Sequence, residues 1–183
     1  MRPSCLSVFS NDKKLFTQQV KYEPSCVSIH PGQIEIAVGD SQEQNVYIYN
    51  LEGDTLKESD KLSCKGAITQ VAYSPDGANL GVGDAGRYVH VFNTTDRKVV
   101  HQGWSFHTAR VNCLAWSPDS RHMASGSLDT NIIIWSMENP NKRIVIKGAH
   151  KMSQITSLAW LNDNTVVSTG QDSCIKQWTL TLH

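Results

Sequence analysis

Two sets of four residues carry the side-chain types that acyl-transfer chemistry uses. His107, Ser125 and Asp129 are followed by Trp135, and His150, Ser168 and Asp172 by Trp178. The offsets agree: 18 from His to Ser, 4 from Ser to Asp and 6 from Asp to Trp. A hydroxyl, an imidazole and a carboxylate could serve as nucleophile, base and orienting group. One reacting atom needs one nucleophile, however, and a catalytic set is not normally duplicated in register along a chain. The duplication points instead to a repeated structural unit.

That unit recurs four times: CVSIHPGQIEIAVGDSQEQNVYIYN, VAYSPDGANLGVGDAGRYVHVFN, LAWSPDSRHMASGSLDTNIIIW and LAWLNDNTVVSTGQDSCIKQW. Its first-strand anchors are Ile29, Tyr73, Trp116 and Trp160, spaced by 44, 43 and 44. Its closing aromatics are Tyr49, Phe92, Trp135 and Trp178, each 43 apart. Asp40, Asp84, Asp129 and Asp172 are expected in one shared turn, at 44, 45 and 43. A fixed period of this length is the mark of a repeat architecture.

Each unit reads as short strands. Val71-Ala72-Tyr73, Leu80-Gly81-Val82 and Val89-His90-Val91-Phe92 are β-rich runs bounded by turn residues. Ser74-Pro75-Asp76-Gly77 and Ser117-Pro118-Asp119-Ser120 are tight turns, with Pro fixing φ. His30-Pro31-Gly32-Gln33 and Leu161-Asn162-Asp163-Asn164 fill the same slot. No stretch has a helical period. Strands a, b and c are followed by an outer strand d, expected at 55–64, 97–102 and 143–147. Residues 5–10 and 14–21 read as strands c and d of a preceding unit, and the last unit lacks its strand d.

Composition narrows the function classes. Lys plus Arg equals Asp plus Glu at 17 each, so no net field draws nucleic acid or anionic lipid. The small cluster of Lys142, Arg143, Lys147 and Lys151 is expected to be solvated. No secretory signal or membrane segment is expected: the longest strongly apolar run is Ile132-Ile133-Ile134-Trp135. Cys5, Cys26, Cys64, Cys113 and Cys174 form no CxxC and read as reduced cytosolic thiols, with Cys113 and Cys174 as packing residues on strands. The sequon Asn93-Thr94-Thr95 reads as ordinary chain. No metal, cofactor or small-molecule substrate is expected.

The repeats resemble the WD-repeat family over nearly the whole chain. The resemblance implies an all-β fold: an open partial ring of about four four-stranded blades, a fragment of a seven-bladed β-propeller. The expected segments are 1–22 for strands c and d of a preceding blade, then 23–64, 65–102, 103–147 and 148–183 for four repeats. It also implies a structural role for the two sets. In that family a buried chain runs from Trp indole N–H to Ser hydroxyl, His ring and Asp carboxylate, so His107, Ser125, Asp129, Trp135, His150, Ser168, Asp172 and Trp178 are expected to tie loops to strands. The first two repeats end in Tyr49 and Phe92 and lack an incoming His, so their sets are incomplete. Trp104 and Phe106, just before His107, either anchor a partner on the loop face or pack under the loop.

YEPSCVSIHPG, GDTLKESDK, ITQVAYSPDGANL, CLAWSPDSRHMASGSLDTNIIIW and ITSLAWLNDNTVVSTGQDSCIKQWTL resemble the C-terminal third of the actin-interacting protein 1 family of WD-repeat proteins. That resemblance implies actin filaments and cofilin as partners, filament disassembly as the activity, no enzymatic turnover, and a cytoplasmic place on the actin cytoskeleton. A general WD-repeat scaffold for a multiprotein complex is the alternative.

Overall fold

A computed structural model describes residues 4–10, 12–32, 35–53 and 55–182. Gln33 of the expected His30–Gln33 turn lies outside them. The chain is all-β, with no helix among the described residues. Five sheets follow one another along it, and each strand pairs antiparallel with its neighbour in sequence. β1 (Cys5–Ser10) and β2 (Lys13–Gln19) form a hairpin. β3 (Pro24–Ile29), β4 (Glu35–Asp40), β5 (Asn45–Glu52) and β6 (Thr55–Ser63) form the first full sheet. The second holds β7 (Ile68–Tyr73), β8 (Asn79–Asp84), β9 (Val89–Asn93) and β10 (Val99–Trp104). The third holds β11 (Val111–Trp116), β12 (His122–Ser127), β13 (Ile132–Ser136) and β14 (Arg143–Ile146). β15 (Ile155–Asn162), β16 (Thr165–Gly170) and β17 (Ile175–Thr179) make a three-stranded last sheet. The inner strands β3, β7, β11 and β15 touch in succession, so the sheets are blades of a partial propeller.

Short tight turns hold the inner hairpins. In 74–77 the Ser74 hydroxyl accepts the Asn79 N–H at 2.9 Å, and Gly77 takes φ +74° to close the turn. Ser120 takes the same slot in the next blade at φ +61°. The incoming loops that join each outer strand to the next inner strand lie at the other end, beside the loops joining second to third strands. Backbone bonds show the pairing: Ala85 N–H to Ala67 O at 2.9 Å, Leu128 N–H to Arg110 O at 3.1 Å and Gln171 N–H to Gln154 O at 3.1 Å.

The core sits between blades. Val46 and Ile48 of β5 pack on Ile68 and Val71 of β7. Val89 and Val91 pack on Val111 and Leu114, and Ile132 and Ile134 on Ile155 and Leu158. The first-strand anchors reach the preceding blade by their polar ends. Trp116 N–H donates to Ala72 O at 2.8 Å and Trp160 N–H to Ala115 O at 3.0 Å. Tyr73 does the same through its hydroxyl, which donates to Glu35. Blades approach so closely that a Cβ on Gly126 would lie 2.6 Å from Ile155 Cγ2, and one on Gly39 2.5 Å from Ile68 Cγ2.

The two ends of the array differ. Between β1 and β3 lies a cavity of about 490 Å³ lined by Leu6, Val8, Phe9, Val27, Ile29 and Ile36. Val27 and Ile29 are 62% and 63% exposed, where the matching Val71 and Tyr73 are buried. At the other end, Thr169 stands where the preceding blade has Gly126, and Gln177 where it has Ile134.

The structure corrects the shared-turn alignment. Asp40 and Asp84 do not occupy the turn of Asp129 and Asp172. They end β4 and β8, opposite Pro24 and Ile68, the slots of Ser127 and Gly170. A displacement of two residues keeps a side chain on the same face, so sequence spacing hid it. Cys174 is also displaced: it is exposed and precedes β17. β10 continues to Trp104, past the expected limit at 102, because Trp104 pairs with Val89.

Candidate functional site

The structure brings all eight residues of the two sets together, as two separate chains. Ser125 lies on β12 and Trp135 on β13; adjacent-strand register places both on one face. His107 comes from the incoming loop and Asp129 from the turn between β12 and β13. Trp135 N–H donates to Ser125 Oγ at 2.8 Å, Ser125 Oγ meets His107 Nε2 at 2.8 Å, and His107 Nδ1 meets Asp129 Oδ2 at 2.9 Å. The next blade repeats this. Trp178 to Ser168 is 2.9 Å, Ser168 to His150 2.8 Å and His150 Nδ1 to Asp172 Oδ1 2.7 Å. The chain closes with every donor matched when the imidazole carries its proton on Nδ1. Asp129 also accepts the Thr108 N–H at 2.8 Å and the Asn131 N–H at 3.0 Å, which fixes both loops.

Burial decides what this arrangement can do chemically. Ser125 is 0% exposed and Ser168 1%, and each hydroxyl is enclosed by its Trp and His. Neither oxygen has an open side from which a substrate carbonyl could approach. No group of three or more His, Cys, Asp or Glu side chains placed to hold a metal ion occurs among the described residues.

Asp129 carries a pH consequence. Burial acts to raise its carboxyl; the hydrogen bond and charge of His107 and the two backbone N–H groups outweigh it and hold the group at about 2, against an ordinary 3.8. A folded value below the unfolded one means the stabilisation is complete above about pH 4 and lost as pH falls toward 2. The shift corresponds to about 2 kcal/mol. Acid unfolding followed by tryptophan fluorescence should therefore be less steep in Asp129→Asn than in the parent across that window. An unchanged slope would remove Asp129 from the acid transition. Asp172 is shifted in the same direction by His150 and the Cys174 N–H, against its own desolvation.

The first two full blades carry different links, which sequence spacing did not reveal. In the first, Tyr22 on the incoming loop shares a hydrogen bond with Tyr49 on β5, hydroxyl to hydroxyl at 3.0 Å, and stacks on Tyr47 at 4.0 Å. Burial, first, and the bond to Tyr49 push the Tyr22 phenol far above its usual range. In the second, the four positions read Cys64, Val82, Gly86 and Phe92 at the 43-residue offset, so the whole polar set is gone. A separate pair replaces it: His90 Nε2 lies 2.9 Å from the fully buried Asp84 carboxylate. The one available signal was a Tyr in the Trp position, whose hydroxyl needs a partner when buried.

Trp104 lies beneath the incoming loop in the structure. It is 2% exposed, stacks on Trp135 at 4.8 Å and donates its N–H to Pro140 O at 3.2 Å. Phe106 is 48% exposed, but the Arg143 guanidinium lies 3.2 Å over its ring.

Fold and repeated tetrad define a WD-repeat propeller segment. The family described as WD domain, G-beta repeat matches residues 98–136 and 141–179, which contain both tetrads. The chain is 47% identical over 174 residues to actin-interacting protein 1 of Drosophila melanogaster, covering 94% of this chain and 28% of that protein. WD repeat-containing protein 1-B of Xenopus laevis is 40% identical over 176 residues, at 95% and 29% coverage. WD repeat-containing protein 1 of Gallus gallus is 41% identical over 175 residues, at 94% and 29%. The solved structure of U3-55K superposes with a TM-score of 0.79 at 16% identity, over 89% of this chain and 50% of that one, a likeness of fold alone. The chain carries WD repeats, is similar to actin-interacting protein 1 and the WD repeat-containing protein 1 relatives, and spans under a third of their length.

Proposed function

We propose that this chain is an actin-binding propeller segment whose parent engages actin filaments and, with cofilin, promotes their disassembly. The carrying observation is the 47% identity over 94% of the chain to a protein named for interaction with actin. The physical reading agrees with a binding module. The buried tetrads fix loops at one end of the blades, and their serines are closed to substrate. In this reading His107, Ser125, Asp129 and Trp135, with His150, Ser168, Asp172 and Trp178, are structural, the protein is not an enzyme, and its place is the cytoskeleton.

Filament co-sedimentation with and without cofilin tests it. The 183-residue chain should pellet weakly with filaments, and a full-length parent should pellet more strongly, because tethered surfaces raise effective concentration by orders of magnitude. Equal affinity would place the complete site in this chain. Failure of both to pellet would favour the general scaffold. Labelling of Ser125 or Ser168 by a fluorophosphonate probe would return the hydrolase reading.

A further inference from the structure

The zero net charge conceals an uneven distribution. At the tetrad end of the second, third and last blades, the connecting loops expose Lys65, Arg87, Arg110, Lys147 and Lys151. None of the five pairs with a carboxylate among the described residues. The acids of these three blades at this end, Asp84, Asp129 and Asp172, are turned inward and held by His90, His107 and His150, and the exposed acids Glu23 and Glu43 belong to the first blade. At the opposite end the signs alternate, and Lys98–Asp96, Arg121–Glu138 and Arg97–Glu35 pair at 3.5, 3.7 and 2.5 Å.

The positive loops of the third and last blades are joined to each other and carry exposed apolar tips. Arg110 O accepts the Leu128 N–H, and Leu128 is 47% exposed. Asn131 Oδ1 accepts the Gly148 N–H at 2.9 Å, joining that turn to the loop of Lys147, Lys151 and Met152. Met152 is 93% exposed, at a backbone φ of +55°. Methionine is an adaptable contact residue on binding surfaces.

We propose that this loop end is a docking surface for an acidic protein segment bearing apolar side chains. The carboxylates would meet Lys65, Arg87, Arg110, Lys147 and Lys151, and the apolar groups would meet Leu128 and Met152. Charge complementarity selects the sign of the partner. The apolar tips select a protein segment over a nucleic acid, since the two aromatic rings Tyr88 and Phe106 in these connecting loops each carry a cation over one face, Lys65 at 4.4 Å and Arg143 at 3.2 Å, which competes with base stacking. The surface is defined by its own charge and stands apart from the actin reading.

The test uses the 183-residue chain and a fluorescein-labelled peptide of Asp, Glu and Leu, read by anisotropy. Arg87→Glu with Arg110→Glu and Lys151→Glu should weaken binding at least about tenfold, and added salt should weaken the parent. Leu128→Ser with Met152→Ser should weaken this peptide and leave an all-Asp peptide unaffected. Arg121→Glu with Lys142→Glu, at the other end, should change nothing. All substituted side chains are exposed, so melting curves should match the parent. The proposal is overturned if the parent does not bind the peptide. It is overturned equally if either end's charge reversal acts alike, or if poly(dA) or phosphatidylserine vesicles bind more tightly than the peptide.

Discussion

His107→Ala should lower the melting temperature of this protein by roughly 10 °C, the largest effect expected of any single substitution at the loop end. The change leaves Ser125 Oγ without its imidazole and the Asp129 carboxylate, 3% exposed, without its ring partner. Removing one member of a buried pair costs about 3–5 kcal/mol, and a domain of this size loses about 2–4 °C per kcal/mol. The cost belongs to the whole chain of bonds. Ser125→Ala with His107→Ala should therefore cost well below the sum of the two single changes, because the second finds its partner already gone. Calorimetry on the three variants decides it. A melting point within about 1 °C of the parent for His107→Ala would mean that water replaces the ring without penalty.

The second large effect concerns assembly. The chain should scatter light as a species larger than its 20.3 kDa monomer. A blade buries its faces only against neighbours, and Val27 and Ile29 stand 62% and 63% exposed beside a cavity of about 490 Å³. The opposite face contributes less, since Thr169 and Gln177 make it polar, although Ile175 there is 76% exposed and β17 pairs only with β16 among the described residues. Val27→Glu with Ile29→Glu should return the chain to monomer with its melting transition kept. A monodisperse parent at 20.3 kDa would show that the exposed face is not adhesive.

What was legible in the sequence was what repeated. The anchors Tyr73, Trp116 and Trp160 and the closing aromatics recur at nearly constant spacing, and each occupies the same register in its blade. The tetrads were legible because two copies share every offset. Tyr22–Tyr49 and Asp84–His90 each occur once, so no spacing marks them, and both depend on burial that arises only when blades stack. Asp40 and Asp84 misled because a two-residue shift preserves strand alternation while changing the slot. Trp104 was ambiguous for a different reason: its partners, Pro140 and Trp135, come from the following blade.

The difference between the locks has a consequence for the thermodynamics of recognition. Loops 105–110 and 147–154 are each pinned by a four-residue chain before any partner arrives. A ligand seated on Arg110, Leu128 and Met152 therefore meets a rigid surface and loses little conformational entropy in ordering it. Over the second blade, where Cys64 and Val82 stand in the His and Ser positions, no such side-chain chain exists, and the same contact area would have to order more of the loop as it binds. Affinity per contact should thus fall from the third blade to the second, and association there should carry the larger unfavourable entropy.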